Sequence, residues 1–138
     1  MSHVSSASIV STDSHYLHHI ETAHFKLDTD EPIKLGGQGA GPAPFDYYLA
    51  ALAACTAITL RMYAERKGWN LGEFRAELQL ERDDDGRLQV MRTLHASGAL
   101  SDEQWARLLE IVANTPVTKA MREGVTITSR RGEAASAA

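Results

Sequence analysis

The segment over residues 47–60 is the strongest constraint on the fold, because it carries no charged side chain and would be apolar on nearly every face of a helix. Pro44 precedes it, Asp46 falls in its first turn, and Glu-Arg-Lys-Gly closes it at residues 65–68. These are helix boundary signals, so we predict one long helix over residues 45–67. A surface helix of a monomer shows only an apolar stripe, so this helix has to be covered on several sides.

The size of the chain limits how that cover can be provided. The 138 residues, 43% apolar and 23% charged, have the composition of a globular protein and the length of one domain. A single domain over residues 1–138 has little material to wrap such a helix. We therefore predict an obligate, intertwined homodimer in which the helix is buried against a second copy. The alternative is a central helix wrapped by its own sheet.

Short segments on both sides of the helix predict β-structure. Apolar residues occupy alternate positions from Phe74 to Leu80, and Asp-Asp-Asp-Gly at residues 83–86 predicts a hairpin turn. Residues 31–44 contain four glycines and three prolines and are predicted to be a loop without regular structure. The predicted strands cover residues 8–12, 16–21, 23–28, 73–82, 87–96 and 125–129.

Two further helices are predicted near the C-terminus. Ser101 and Gln104 form a capping box ahead of apolar residues at helical spacing, namely Trp105, Leu108, Leu109 and Val112. Thr115 is placed as the N-cap of a second helix that begins with Pro116. Residues 132–138 are expected to be a frayed tail. The order of strands, long helix, hairpin, two helices and strand predicts an α+β fold.

Composition and charge exclude several classes of protein. The net charge of −4 offers no basic surplus for phosphates, so we expect no nucleic-acid partner. Residues 1–10 lack the features of a secretory signal, and residues 47–60 are too few to span a bilayer, which predicts a cytoplasmic protein without membrane contact. The one cysteine, Cys55, excludes an intrachain disulfide and suits a reducing cytosol.

No pattern in the sequence predicts a metal or a cofactor. Four histidines lie close together at positions 15, 18, 19 and 24, but neither a cysteine nor a carboxylate completes a ligand set at the usual spacing. His18 and His19 would point to opposite faces of a strand. The glycine-rich residues 36–41 lack the Lys-Ser/Thr of a phosphate-binding loop and follow no Rossmann-type strand.

Several of these residues together resemble the OsmC/Ohr family, and in particular its OsmC-like branch. The similarity covers roughly residues 16–130 and lies in Leu35-Gly-Gly, in Gly41-Pro-x-Pro-x-Asp and in the helix with Ala54-Cys-Thr, followed by Pro116-Val. It implies an α+β fold in which a long central Cys-bearing helix packs on antiparallel sheets in an intertwined homodimer. It also implies active sites at the dimer interface.

The resemblance implies a chemistry as well. Family members that act as enzymes are cysteine-dependent peroxidases that prefer organic hydroperoxides. Cys55 matches the attacking cysteine, Asp46 matches the carboxylate, and Thr115 stands where a second, resolving cysteine would close a disulfide. No arginine precedes Arg61, so the family's N-terminal arginine has no match. The implied partners are a small hydroperoxide and an external thiol reductant.

The residues themselves leave alternatives open. Cys55 must become a thiolate to attack, whereas an Ala-rich surround disfavours the charge and suits a small core residue. Asp46 lies nine residues earlier, about 13.5 Å along a straight helix and on its opposite face, so it is either a first-turn acid or acts through a broken helix or a second copy. Arg61 is expected to form a surface or interface ion pair.

Three functions are compatible with these features. The first is a stress-response hydroperoxide reductase that uses Cys55 and an external thiol. The second is a non-catalytic relative that binds a small apolar molecule at the dimer interface. The third is a redox sensor that reacts at Cys55 without turnover.

Overall fold

The computed structural model describes residues 1–133. The elements are β1 (Ala7–Ser11), β2 (His18–Thr22), β3 (Phe25–Thr29), α1 (Pro44–Lys67), β4 (Phe74–Arg82), β5 (Leu88–Ala96), α2 (Asp102–Val112) and α3 (Pro116–Glu123). This order confirms the predicted α+β fold. The chain divides into a first unit, residues 1–54 with 74–95, and a second unit, residues 55–73 with the chain from residue 96 onward.

The first unit begins with an antiparallel sheet in the order β1-β2-β3. Ile9, Ile20 and Leu27 are paired across the three strands, so one face of the sheet is apolar at its centre. The pairing of Thr22 with Phe25 leaves a two-residue turn between β2 and β3, in which Ala23 has a φ of 53°. The strand therefore starts at Phe25, two residues later than the predicted range of 23–28. The turn was not predicted because Ala-His contains none of the usual turn residues.

The loop after β3 is organised by the carboxylate of Asp30, which is 3% exposed. Its Oδ1 accepts a hydrogen bond from the Glu31 amide at 2.8 Å, and its Oδ2 accepts from the Gln38 and Ala40 amides at 3.2 and 3.1 Å. A side chain at Gly37 would collide with the Glu31 carbonyl oxygen, so glycine is required there. Within the predicted loop, residues Ile33–Leu35 form one 3-10 turn.

The hairpin β4–β5 is antiparallel, as predicted from its turn. Asp83 fixes that turn, because its amide donates to the Arg87 carbonyl and its Oδ1 accepts from the amides of Asp85 and Arg87. Alternate residues of β4 are half-buried from Phe74 to Leu80. The period-two pattern in the sequence thus corresponds to two different faces of the strand.

Helix α1 has one buried side and one exposed apolar side. Leu52, Thr56, Leu60 and Ala64 recur every four residues and are at most 5% exposed. Other large apolar side chains of the helix are exposed, namely Phe45, Tyr48, Ile58 and Met62. The segment that is apolar all round the helix in sequence is thus only partly covered by the described residues, which bury Leu52, Thr56, Leu60 and Ala64 and leave Ile58 and Met62 exposed.

The second unit has its own small core, made of Leu60, Ala64, Leu71, Leu108 and Val112. The predicted capping box of α2 is confirmed, with both the Ser101 and Gln104 side chains bonded to backbone amides. Arg107 donates from Nε to the Tyr63 hydroxyl at 2.9 Å and from Nη1 to Glu110. These two contacts, the first the larger, raise the pKa of Arg107.

The prediction of a strand over residues 125–129 is wrong. These residues have no regular structure, and Val125 and Ile127 are 68% and 81% exposed. Alternating apolar residues make a strand only where a neighbouring strand supplies hydrogen bonds, and no described strand of this chain pairs with them. The predicted tail at 132–138 lies largely outside the described residues.

Among residues 1–133, no helix is long and apolar enough to cross a membrane.

The Asp30 contacts predict a pH-dependent loss of stability. Hydrogen bonds from the Ala40 amide, opposed by burial and helped by the Glu31 and Gln38 amides, lower the pKa of Asp30. A lowered pKa stabilises the fold above the unfolded value of about 3.9, and that contribution disappears as the pH falls through the folded value. Asp30→Asn should therefore lower the thermal midpoint at neutral pH.

The difference between the wild type and Asp30→Asn should shrink as the pH falls below about 4, where the carboxylate of the unfolded chain is protonated, and disappear once the pH is low enough to protonate the folded carboxylate too. Asp13→Asn, at an exposed aspartate outside the loop sequence, is the matched control. Thermal melts that differ equally at neutral and acidic pH would contradict this account.

Candidate active site around Cys55

Cys55 lies in the middle of α1 and is half-buried. Two hydrogen-bonding groups of the second unit approach its sulfur. The backbone amide of Val117 donates to Sγ at 3.5 Å, and the Thr59 hydroxyl lies 3.9 Å from the same atom. The structure therefore gives the sulfur polar neighbours, which the Ala-rich sequence around it did not indicate.

The amide on Cys55 belongs to the N-terminus of α3, where Pro116 is the first helical residue and Val117 the second. Amides in the first turn of a helix have no acceptor within the helix and point outward. Together with the helix dipole they favour a negative charge at that end. A sulfur in this position is better stabilised as a thiolate than one surrounded by alanine alone.

Thr115, the residue that the sequence comparison set against a second cysteine, is buried, with 2% exposure. It is the N-cap of α3 as predicted, but its side chain makes no hydrogen bond to a helix amide. Its Oγ1 lies 2.7 Å from the Thr118 hydroxyl, which donates to the Val112 carbonyl at 3.3 Å. Either hydroxyl of the pair could donate the proton that joins them. Thr115 thus holds the start of α3 through a chain of hydroxyl groups.

Asp46 has a structural contact at the start of α1. Its Oδ2 accepts a hydrogen bond from the Ala43 amide at 2.9 Å, which is how an N3 carboxylate closes the first turn of a helix. The helix that follows is continuous from Pro44 to Lys67. The contact is the one expected of a first-turn acid, and the break in the helix that a direct role would need is not formed.

Within the described chain, Arg61 contacts the backbone. Its Nη2 donates to the Gly72 carbonyl at 2.8 Å, and the side chain is half-buried. A guanidinium reaches a backbone carbonyl here because the turn after α1 brings residues 70–72 back beside the helix. The sequence around Arg61 shows no sign of this turn except Gly68 and Gly72, both with positive φ.

The other candidate sites are accounted for by internal contacts. The amides of the glycine-rich loop at Gln38 and Ala40 bind the Asp30 carboxylate, so the loop cradles a group of its own chain. His19 is bonded through Nδ1 to Asp28 at 2.7 Å on the surface of the sheet. In the described part of the chain, no three His, Cys, Asp or Glu side chains are grouped as metal ligands would be.

Sequence reasoning missed Thr59 and Val117. Thr59 follows Cys55 by four residues, the spacing at which side chains meet on a helix, so it could have been found. Val117 is 62 residues from Cys55, and no local pattern indicates that its amide reaches the sulfur.

Comparison with known proteins identifies the family of this chain. A family model described as OsmC-like protein matches residues 37–130, which include α1, Cys55 and α3. The chain therefore belongs to the OsmC-like protein family. No curated protein matches the chain in sequence.

Solved structures share the fold. An OsmC-like protein from Mycoplasma pneumoniae superposes with a TM-score of 0.70 at 17% identity, covering 88% of this chain and 89% of the other. An organic hydroperoxide resistance protein OsmC from Legionella pneumophila gives 0.63 at 24% identity, covering 87% and 90%. The organic hydroperoxide resistance protein OhrB of Bacillus subtilis gives 0.59 at 21% identity, covering 87% and 91%. At these identities the likeness concerns the fold.

Proposed function

We propose that this protein reduces organic hydroperoxides in a stress response, with Cys55 as the attacking group and an external thiol as the reductant. The observation that carries the proposal is the hydrogen bond from the Val117 amide to the Cys55 sulfur, because it supplies the donor that a reactive thiolate needs. Membership of the OsmC-like family supports it. So do the hydroperoxide-resistance names of the Legionella and Bacillus structures.

The first step needs the Cys55 thiolate, the hydroperoxide and one proton from water. The Cys55 thiolate attacks the outer oxygen of the hydroperoxide, so that an S–O bond forms while the O–O bond breaks. The electron pair leaves with the inner oxygen as an alkoxide, which takes a proton and departs as an alcohol. Cys55 is then a sulfenic acid, oxidised by two electrons, and the hydroperoxide has been reduced by two.

The second step requires a thiol from outside, because Cys55 is the one cysteine of the chain. An attacking thiol displaces hydroxide from the sulfenic acid, giving a mixed disulfide and water. A second thiol then attacks the partner sulfur and releases Cys55 as a thiolate. A supply of reduced thiols is a property of the cytoplasm, which is where we propose that the single domain functions.

We propose that the working form is a homodimer. The first unit contains a single buried hydrophobic residue among those described, Leu52, so its sheets have almost no core of their own. The exposed apolar side of α1 runs along the same helix that carries Cys55. A second copy packed on this side would cover it. Dimerisation would also allow the Asp46 carboxylate of one copy to act on the Cys55 of the other.

A sensor that is oxidised once is the second candidate function. The observation in its favour is Thr115, whose hydroxyl chain occupies the position from which a second thiol would resolve the sulfenic acid. The same replacement favours the third candidate, a non-catalytic protein that binds a small apolar molecule at the dimer interface. A reductase consumes peroxide over many turnovers, whereas a sensor is oxidised only once. A binder differs from both because its Cys55 is not oxidised.

The first prediction concerns Cys55 itself. With cumene hydroperoxide and a dithiol, the wild type should consume peroxide over many turnovers, and Cys55→Ser should lower the rate at least 100-fold because a hydroxyl is a far weaker nucleophile at neutral pH. Peroxide loss measured by a colorimetric assay gives the rates. Equal background rates for both proteins would refute the proposed activity.

Intact mass after one equivalent of hydroperoxide completes this experiment. One added oxygen on the wild type without turnover would identify the sensor, and no change of mass would favour the binder. Dimedone, which traps sulfenic acids, should label the oxidised wild type and leave Cys55→Ser unlabelled.

The second prediction concerns the replaced cysteine. Thr115→Cys places a thiol two residues before the amide that binds the Cys55 sulfur, with little change of side-chain volume. One equivalent of hydroperoxide should then form a disulfide between Cys55 and the introduced cysteine, seen as a loss of about 2 Da in place of a dimedone adduct. The double variant Cys55→Ser, Thr115→Cys is the control and should keep its mass. A dimedone adduct with no disulfide would show that the two positions do not meet.

The third prediction tests the dimer. Ile58→Glu puts a carboxylate on the exposed apolar side of α1, where burial in an interface costs several kcal/mol in the absence of a partner charge. Light scattering should give twice the chain mass of 15.1 kDa for the wild type and Ile58→Val, and about half of the wild-type value for Ile58→Glu. A monomeric wild type would overturn the dimer.

A further inference from the structure

We propose that the Thr59 hydroxyl is a positioning donor for Cys55, which holds the sulfur against the N-terminus of α3 and stabilises its thiolate. The proposal rests on the proposed function for its role in turnover, but its physical content is the reactivity of Cys55 and can be measured without a peroxide. It assigns a part in the site to a residue one helical turn after the cysteine.

The contact of the Thr59 hydroxyl is unusual for a threonine within a helix. Such hydroxyls ordinarily donate to the carbonyl oxygen four residues earlier. Here Oγ1 of Thr59 lies 3.9 Å from Cys55 Sγ, and this is the one hydrogen bond that the hydroxyl makes within the described chain. The side chain is half-buried, so part of its surroundings is protein. The hydroxyl thus faces the sulfur and not its usual backbone acceptor.

The direction of this bond depends on the charge of the sulfur. While Cys55 is a thiol, either atom could donate the proton. Once the thiol is deprotonated the sulfur has no proton left, so Thr59 must donate, and hydrogen bonds to charged acceptors are stronger than neutral ones. The bond therefore strengthens when the thiolate forms, which favours that state.

The two groups that contact the sulfur differ in their freedom to move. The Val117 amide is part of the backbone of α3 and cannot turn away, whereas the Thr59 hydroxyl can rotate about its own C–O bond. Because Thr59 lies on α1 and Val117 on α3, the thiolate is held from both helices.

The test compares Thr59→Val, which keeps the shape of the side chain and removes the hydroxyl, with Thr59→Ser, which keeps the hydroxyl and removes the methyl group. The rate of alkylation of Cys55 by iodoacetamide is measured against pH. We expect Thr59→Val to react about 3 to 10 times more slowly at neutral pH, with the midpoint of its profile at higher pH, and Thr59→Ser to stay within about twofold of the wild type.

Unchanged alkylation of Thr59→Val would overturn the proposal. Equal slowing in both variants would overturn it too, because the methyl group rather than the hydroxyl would then be responsible. If Thr59→Val fails to fold by thermal melting, Thr59→Ala against Thr59→Ser makes the same comparison. A slowed Thr59→Val together with a wild type that consumes no peroxide would refute the proposed function and support the role of Thr59.

Discussion

The rest of this structure depends on the need to cover a helix of 24 residues that has no charged side chain through its centre. Apolar surface left in water is costly, and α1 presents such surface on more than one side. The second unit covers the side marked by Leu60 and Ala64 with its small core. The side with Ile58 and Met62 stays exposed in the single chain, which is the physical basis for proposing a second copy.

The surroundings of the Cys55 sulfur depend on how α3 packs against α1. Cys55 lies on α1 at the point where the first turn of α3 reaches the helix, and the Val117 amide is therefore available to the sulfur. Thr115 holds this turn in place through Thr118 and the Val112 carbonyl. Thr115 is thus well suited to its structural position at the start of this helix.

Local patterns predicted the elements well and the contacts poorly. The capping box of α2 and the Asp83 turn were predictable because each is completed by residues a few positions apart. The glycine-rich loop was expected to be irregular, yet its amides converge on Asp30. The strand over 125–129 failed because strand pairing depends on a neighbour that a local pattern does not contain.

The sequence by itself determined the long helix, the hairpin, the α+β order and the presence of one cysteine, because these depend on neighbours within a few positions or on a count. Only the tertiary structure decided what surrounds that cysteine. The contact between Cys55 and Val117 joins residues that are 62 positions apart. Such a contact comes from the packing of two helices, and helix packing is the sum of many small apolar contacts that no single motif records.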